Sequence, residues 1–129
     1  MLIDDYLLNK VEQKAKSNER LRMNYNLHEC LDSKAQRLMN ALIPGTVLPI
    51  HRHWHSDETY ILLRGRIDVI FYNDAKEEIG RFPLDVIKGN YGVHIPKYTW
   101  HTIEVHEPSV IFEVKDGPYT PLGEDDILK

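Results

Sequence analysis

Three histidines and one glutamate stand at spacings that let them share a metal ion. His51 and His53 are two residues apart. On an extended strand, residues two apart share a face, so both imidazoles point one way and Arg52 points the other. Trp54-His55-Ser56-Asp57 suits a return turn, and Glu58 then opens the next strand, where its carboxylate reaches the same ion across the ladder. His101 follows Ile95-Pro96-Lys97-Tyr98 on a later strand. Three imidazoles and one carboxylate leave open positions on an ion that takes more than four ligands. That donor set suits Fe(II), Mn(II), Ni(II) or Zn(II) and lacks the thiolates of many structural zinc sites. A single His-x-His is a weak signal, and a glutamate at a strand start is usually solvated. The joint pattern is what counts: Gly45, His51-x-His53, Glu58 and Gly65, then Pro96 and His101 downstream.

Such a site needs strands to carry it. From Arg22 the apolar residues alternate, with Met23, Tyr25 and Leu27 against Arg22, Asn24, Asn26 and His28. This predicts a strand. Gln36 to Leu42 is a second candidate, although its apolar residues also suit a helical turn. Further strands are expected at 59–63, 67–72, 78–84, 92–95, 101–106 and 110–114. Pro83 marks one of them as an edge or a strand end. The breaks between them carry turn residues: Arg64-Gly65, Asn73-Asp74, Lys88-Gly89-Asn90, Pro96-Lys97 and Glu107-Pro108. Many short strands at fairly even spacing predict an all-β sandwich or barrel. Before them, Leu7, Leu8, Val11 and Ala15 form one apolar face behind Asp4 or Asp5 as a cap, so 1–19 holds a short helix. The barrel then occupies 22–116. The tail at 117–129, with Pro118, Pro121 and Gly123, is expected to be extended and on the surface.

The chain has 129 residues, enough for a single domain with its own core. Its formal net charge of −4 disfavours non-specific binding to nucleic acid or an anionic membrane. No apolar run approaches a bilayer span. The acidic start, Met1-Leu2-Ile3-Asp4-Asp5, lacks the basic region of a secretory signal. The single cysteine, Cys30, has no partner within the chain and no sign of an activated thiolate. These features predict a cytoplasmic protein.

Gly45 through Gly65 resembles the first cupin motif at every fixed position, and Asn90 through Val105 resembles the second more loosely, with Pro96 and His101 in place. The resemblance implies a double-stranded β-helix, a jelly-roll barrel, with His51, His53, Glu58 and His101 around one divalent metal ion. Three positions depart from the motif: Asn90 stands for its opening glycine, Tyr98 for the glycine after the proline, and Val105 for a common asparagine. None of them is a ligand. Tyr98 is expected to change the turn and to bring an aromatic ring to the pocket mouth. Three stretches, RMNYNLH at 22–28, QRLMNALIPGTVLPIHRH at 36–53 and FEVKDGPYTP at 112–121, are similar to the WbuC family of small cupin-fold metalloproteins. That likeness implies a bacterial protein associated with surface-polysaccharide gene clusters, without implying a reaction. Cupins commonly pair, so a homodimer is expected, and the amphipathic helix offers a face for it.

Beyond the ligands, Tyr60 shares the parity of Glu58 and is a candidate catalytic base. His28 is another, with Asn24 and Asn26 as polar neighbours if that strand face looks inward. Arg52 is expected to pair or solvate at the surface, and Trp100 to pack outside the barrel. His55 is an exposed turn histidine, and Glu113 with Lys115 a surface pair. His94 and His106 have no partner at ligand spacing. The function expected is a metal-dependent enzyme acting on a small polar molecule, such as a sugar or sugar-nucleotide intermediate, by isomerisation or epimerisation. An Fe(II)-dependent dioxygenase and a non-catalytic metal-dependent binding module are the alternatives.

Overall fold

The computed structural model describes all 129 residues. Helix α1 spans Asp5–Lys16 and is capped by Asp4, whose side chain accepts a hydrogen bond from Leu7 N at 3.1 Å. Asp5 in its first turn and Lys14 and Lys16 in its last suit the helix dipole. Leu7, Leu8, Val11 and Ala15 are all buried. They pack on Met39, Ala41, Ile43 and Val110, so the apolar face expected to serve a dimer is covered by the chain's own barrel. No helix is long and apolar enough to cross a membrane.

Six strands follow: β1 (Arg22–Asn26), β2 (Ala35–Leu42), β3 (Glu58–Tyr72), β4 (Glu78–Asp85), β5 (Gly92–Ile95) and β6 (Trp100–Asp116). They form one antiparallel sheet in the order β1-β2-β6-β3-β4, with β5 paired to the start of β3. The sheet bends into the jelly-roll fold that the cupin resemblance implies. The segment at 36–42 is strand, in register with β6 throughout and with β1 from Leu38 to Leu42. Pro83 sits opposite Asp68 in β4, the edge strand of the sheet, the place where a proline is tolerated.

Two breaks expected as turns are bends within long strands. β3 runs unbroken through Arg64-Gly65, and β6 through Glu107-Pro108. The register between these strands shifts from Leu62 to Ile67, so both bend at the same level. Gly65 has φ +93°, and a Cβ there would run into the Ser109 hydroxyl and the Pro108 carbonyl. Ser109 is buried and satisfies the freed backbone: its Oγ accepts from Arg66 N at 3.0 Å and donates to Glu107 O at 2.7 Å. Glycine and proline therefore re-aim the strands here instead of ending them. The bend folds Tyr60, Leu62, Ile67, Val69, Ile103 and Ile111 around a single interior cluster.

The tail departs from expectation. Beyond the exposed residues 118–123, a short 3-10 turn at Glu124–Asp126 brings the chain back against the barrel. Arg52 N donates to Asp126 O at 3.0 Å, and Leu128 N to Ile50 O at 2.8 Å.

Candidate metal centre

His51 and His53 lie on an irregular segment, not on the regular strand their spacing suggested. Only His51 is bridged, to His101 on one side and to Ile127 of the tail on the other. His51 N donates to His101 O at 3.0 Å, and His101 N to His51 O at 2.9 Å. Two of the four candidate ligands thus hold each other's backbone in place. His53 O accepts from Tyr98 N at 2.7 Å, and Asp57 Oδ1 from Lys97 N at 2.7 Å, which ties the loop after His53 to the turn before His101.

Arg52 points away from the cluster, as its parity requires, but it is not solvated. Its guanidinium carbon lies 4.8, 4.1 and 4.0 Å from the ring centres of Trp54, Tyr98 and Trp100. Its side chain is only 11% exposed, with Asp74 at 3.9 Å. Trp100 Nε1 donates to the same Asp74 at 2.8 Å. Tyr98 keeps the left-handed turn that glycine would supply, with φ +68°. The strain of roughly 1 kcal/mol is offset by stacking on Arg52. Its ring therefore braces the outside of the His51–His53 segment and does not reach the pocket mouth.

On the inner side the four candidate ligands converge. One donor atom from each of His51, His53, Glu58 and His101 lies within 4.8 Å of every other. Glu58 Oε1 is 3.0 Å from His101 Nε2 and 3.3 Å from His53 Nε2. The ring backs are fixed: His51 Nδ1 lies 3.0 Å from Pro49 O, and His101 Nδ1 2.9 Å from Thr99 O. A carbonyl only accepts, so each Nδ1 carries a proton, and each Nε2 faces inward. Burial, then the neighbouring His101, lowers His51 to about 4, which leaves its ring neutral, the form that ligates. Burial alone would raise Glu58, but hydrogen bonds from His101 and His53 outweigh it and hold this acid well below the usual carboxylate range. Three imidazole nitrogens and one carboxylate, with the backs of the His51 and His101 rings held by carbonyls, fit a divalent ion of the first transition row.

His51, His53 and Glu58 of this cluster line a cavity of about 540 Å³. Tyr60 lines it too, its hydroxyl 3.4 Å from both Glu58 Oε1 and His101 Nε2. Burial, reinforced by Glu58 and Glu113, pushes this phenol well above its ordinary value, so it holds its proton. His28 is elsewhere: it is buried, off the cavity, with Nδ1 accepting from Arg37 N at 3.1 Å. Its ring closes the β1–β2 connection, away from the metal ligands' cavity. Asn24, paired with Asn40, does line the cavity, while Asn26 lies beyond it.

Glu113 and Lys115 are not a surface pair. Both line the cavity, and Glu113 Oε1 accepts from Asn40 Nδ2 at 3.2 Å. Burial and then Glu58 push Glu113 up to about 7. Asn40 Oδ1 is buried without a hydrogen-bond partner. Arg20, Arg22, Tyr119 and Thr120 complete the polar lining, and none of them was singled out from the sequence. His55 is exposed in the loop after His53 and lines a smaller groove of about 250 Å³ against the tail. His94 Nδ1 lies 3.0 Å from Thr59 Oγ1 on the exterior. His106 does find a partner, Asp68, at 3.1 Å. Arg81 already occupies that group, at 2.8 Å from Asp68 and 3.2 Å from Glu104, and supplies the positive charge a metal would bring. Cys30 is free and exposed.

A family model described as "Domain of unknown function (DUF6016)" matches residues 3–84. A search of curated proteins finds no match. Among solved structures, TT1209 from Thermus thermophilus is similar at 22% identity and TM-score 0.63, over 91% of this chain and 98% of that one. The Cnp3 cupin domain of Schizosaccharomyces pombe is similar at 13% identity and TM-score 0.60, over 77% and 66%. The capsular polysaccharide assembling protein CapF of Staphylococcus aureus is similar at 17% identity and TM-score 0.61, over 77% of this chain. The match spans only 30% of CapF. At these identities the likeness is one of fold, and the fold is the cupin barrel.

Proposed function

We propose that this chain, which belongs to the DUF6016 family, is a metal-binding cupin that holds one divalent ion on His51, His53, Glu58 and His101 and acts there on a small polar molecule. The observation that carries this reading is the convergence of four donor atoms beside a cavity that His51, His53 and Glu58 line, with the ring backs of His51 and His101 already committed to carbonyls. An ion at such a site supplies Lewis acidity at its open positions.

The surrounding side chains define what a ligand meets. Tyr60 offers a hydroxyl proton beside Glu58 and His101. Glu113, poised near neutrality, can give or take a proton at its carboxyl. Asn40 Oδ1 lacks a donor, which a ligand hydroxyl would supply. A hydroxyl-rich molecule suits these groups, and a sugar or sugar-nucleotide intermediate of surface-polysaccharide synthesis is the substrate we favour. The WbuC likeness of 22–28, 36–53 and 112–121 supports that context, as does the fold shared with a capsular polysaccharide assembling protein. Tyr60 and Glu113 are then the candidate proton-transfer residues for isomerisation or epimerisation. A homodimer is part of this reading, and light scattering reads it directly.

Elemental analysis of the untagged protein tests the centre. Wild type is expected to carry near-stoichiometric metal, and His51→Ala to lose it. Manganese, nickel or zinc would point to Lewis-acid chemistry, and iron with O₂ consumption to dioxygenation. Wild type that stays metal-free after reconstitution would remove the ligand assignment.

A further inference from the structure

The cavity that the ligands line also carries three cations with no ion pair of their own. Arg20, Arg22 and Lys115 all line it. None of them lies within ion-pair distance of an acid. Other surface cations are unpaired too, but these three share one concave space. The acids that line the same space make their short contacts with other groups, Glu58 with His53 and His101 and Glu113 with Asn40, although Lys115 lies near enough to Glu113 to act on it through charge. Arg22 is held by Thr46 Oγ1 at 3.4 Å and Val47 O at 3.2 Å through one nitrogen, which leaves the rest of its fork free. The same Thr46 hydroxyl donates to Arg20 O at 2.6 Å, so one residue ties the Arg22 side chain to the backbone at Arg20. Burial, and then Arg20, lower Arg22 from its ordinary value, the mark of cations crowded without a counter-ion. With a divalent ion on the ligands the cavity is net positive in either ionisation state of Glu113. The chain as a whole carries −4, so this charge is local to the cavity.

We propose that Arg20, Arg22 and Lys115 form a recognition site for an oxyanion, a phosphoryl or carboxylate group on the small molecule whose other end lies at the metal centre. This deepens the metal-cupin reading and rests on it for the second end of the ligand. Arginine forks and a lysine suit such a group, because charge-assisted hydrogen bonds to its oxygens are strong and arginine binds them in pairs. Asn24 and Thr120 stand beside the cations as neutral donors on the same lining.

Calorimetry at low ionic strength tests this, with inorganic phosphate and malonate as probes. Wild type, Arg22→Gln, Lys115→Gln and the triple variant with Arg20→Gln are each measured metal-loaded and after chelation. At least one anion is expected to bind the loaded wild type, about tenfold more weakly in each single variant, with metal content unchanged. The preferred anion separates phosphoryl from carboxylate recognition. Binding that survives chelation and still depends on the arginines keeps this proposal even where no metal is found. Equal affinity in wild type and the triple variant overturns it while leaving the metal centre intact. So does the absence of binding to the loaded wild type at millimolar anion.

Discussion

At Glu113, burial and the nearby carboxylate of Glu58 push the acid up to about 7 from its ordinary value of 4.5. The folded protein therefore binds a proton there that the unfolded chain has released. The sign follows: this acid favours the folded state below about 4.5 and costs stability as pH rises through 7. In metal-free protein, Glu113→Gln is expected to raise the melting temperature at pH 8, by a free energy on the order of 2–3 kcal/mol, and to change little at pH 4.5. Equal effects at both pH values would remove the raised acid. The sequence shows that Glu113 and Lys115 share a face, because they are two apart in a strand. It does not show which face. That depends on the register that sets Glu113 against Tyr60, and the register is fixed by the bend several residues away. The metal ligands were legible for the opposite reason: His-x-His, Glu58 and His101 declare their chemistry by type and spacing alone.

Among the elements, β3 and β6 show why a glycine and a proline can be misread. Gly65 and Pro108 look like the ends of strands, and they are the points where two long strands bend together. The distinguishing fact is tertiary, since Ser109 sits where a Cβ of residue 65 would be and repairs the broken ladder. Gly65→Ala should therefore cost about 3 kcal/mol or more, from a forbidden φ and a clash with backbone. Gly45→Ala has a comparable φ of +100° but meets only the flexible end of Leu21 at 3.2 Å, so it should cost about 1 kcal/mol. Thermal unfolding of the two variants checks the ranking, and a smaller loss at Gly65 would remove the account of the bend. The helix was legible to within a residue or two, because its cap and its four-residue apolar period are local signals. The return of the tail was not, because Asp126 and Leu128 act through backbone groups that carry no sequence mark.

Over the whole molecule, the candidate ligands come from parts of the chain that only folding brings together. His51 and His53 lie on a segment clamped between β6 and the tail, Glu58 opens β3, and His101 lies in β6. The unfolded chain disperses these donors, so a metal ion should bind the folded state far more tightly, and its binding energy becomes folding energy. At a free ion concentration a thousandfold above Kd, the gain is about 4 kcal/mol, enough to raise the melting temperature by on the order of 10 °C in a domain of this size. His53→Ala removes one nitrogen without touching the His51–His101 backbone bridge, so the variant should fold and lose most of that shift. Magnesium should give neither protein much of a shift, since imidazole donors suit softer ions. Differential scanning calorimetry of both proteins, with and without manganese or zinc, reads the effect directly. A shift of equal size in wild type and His53→Ala would falsify the assignment of His53 as a ligand, because the ion would then be stabilising the fold from somewhere else.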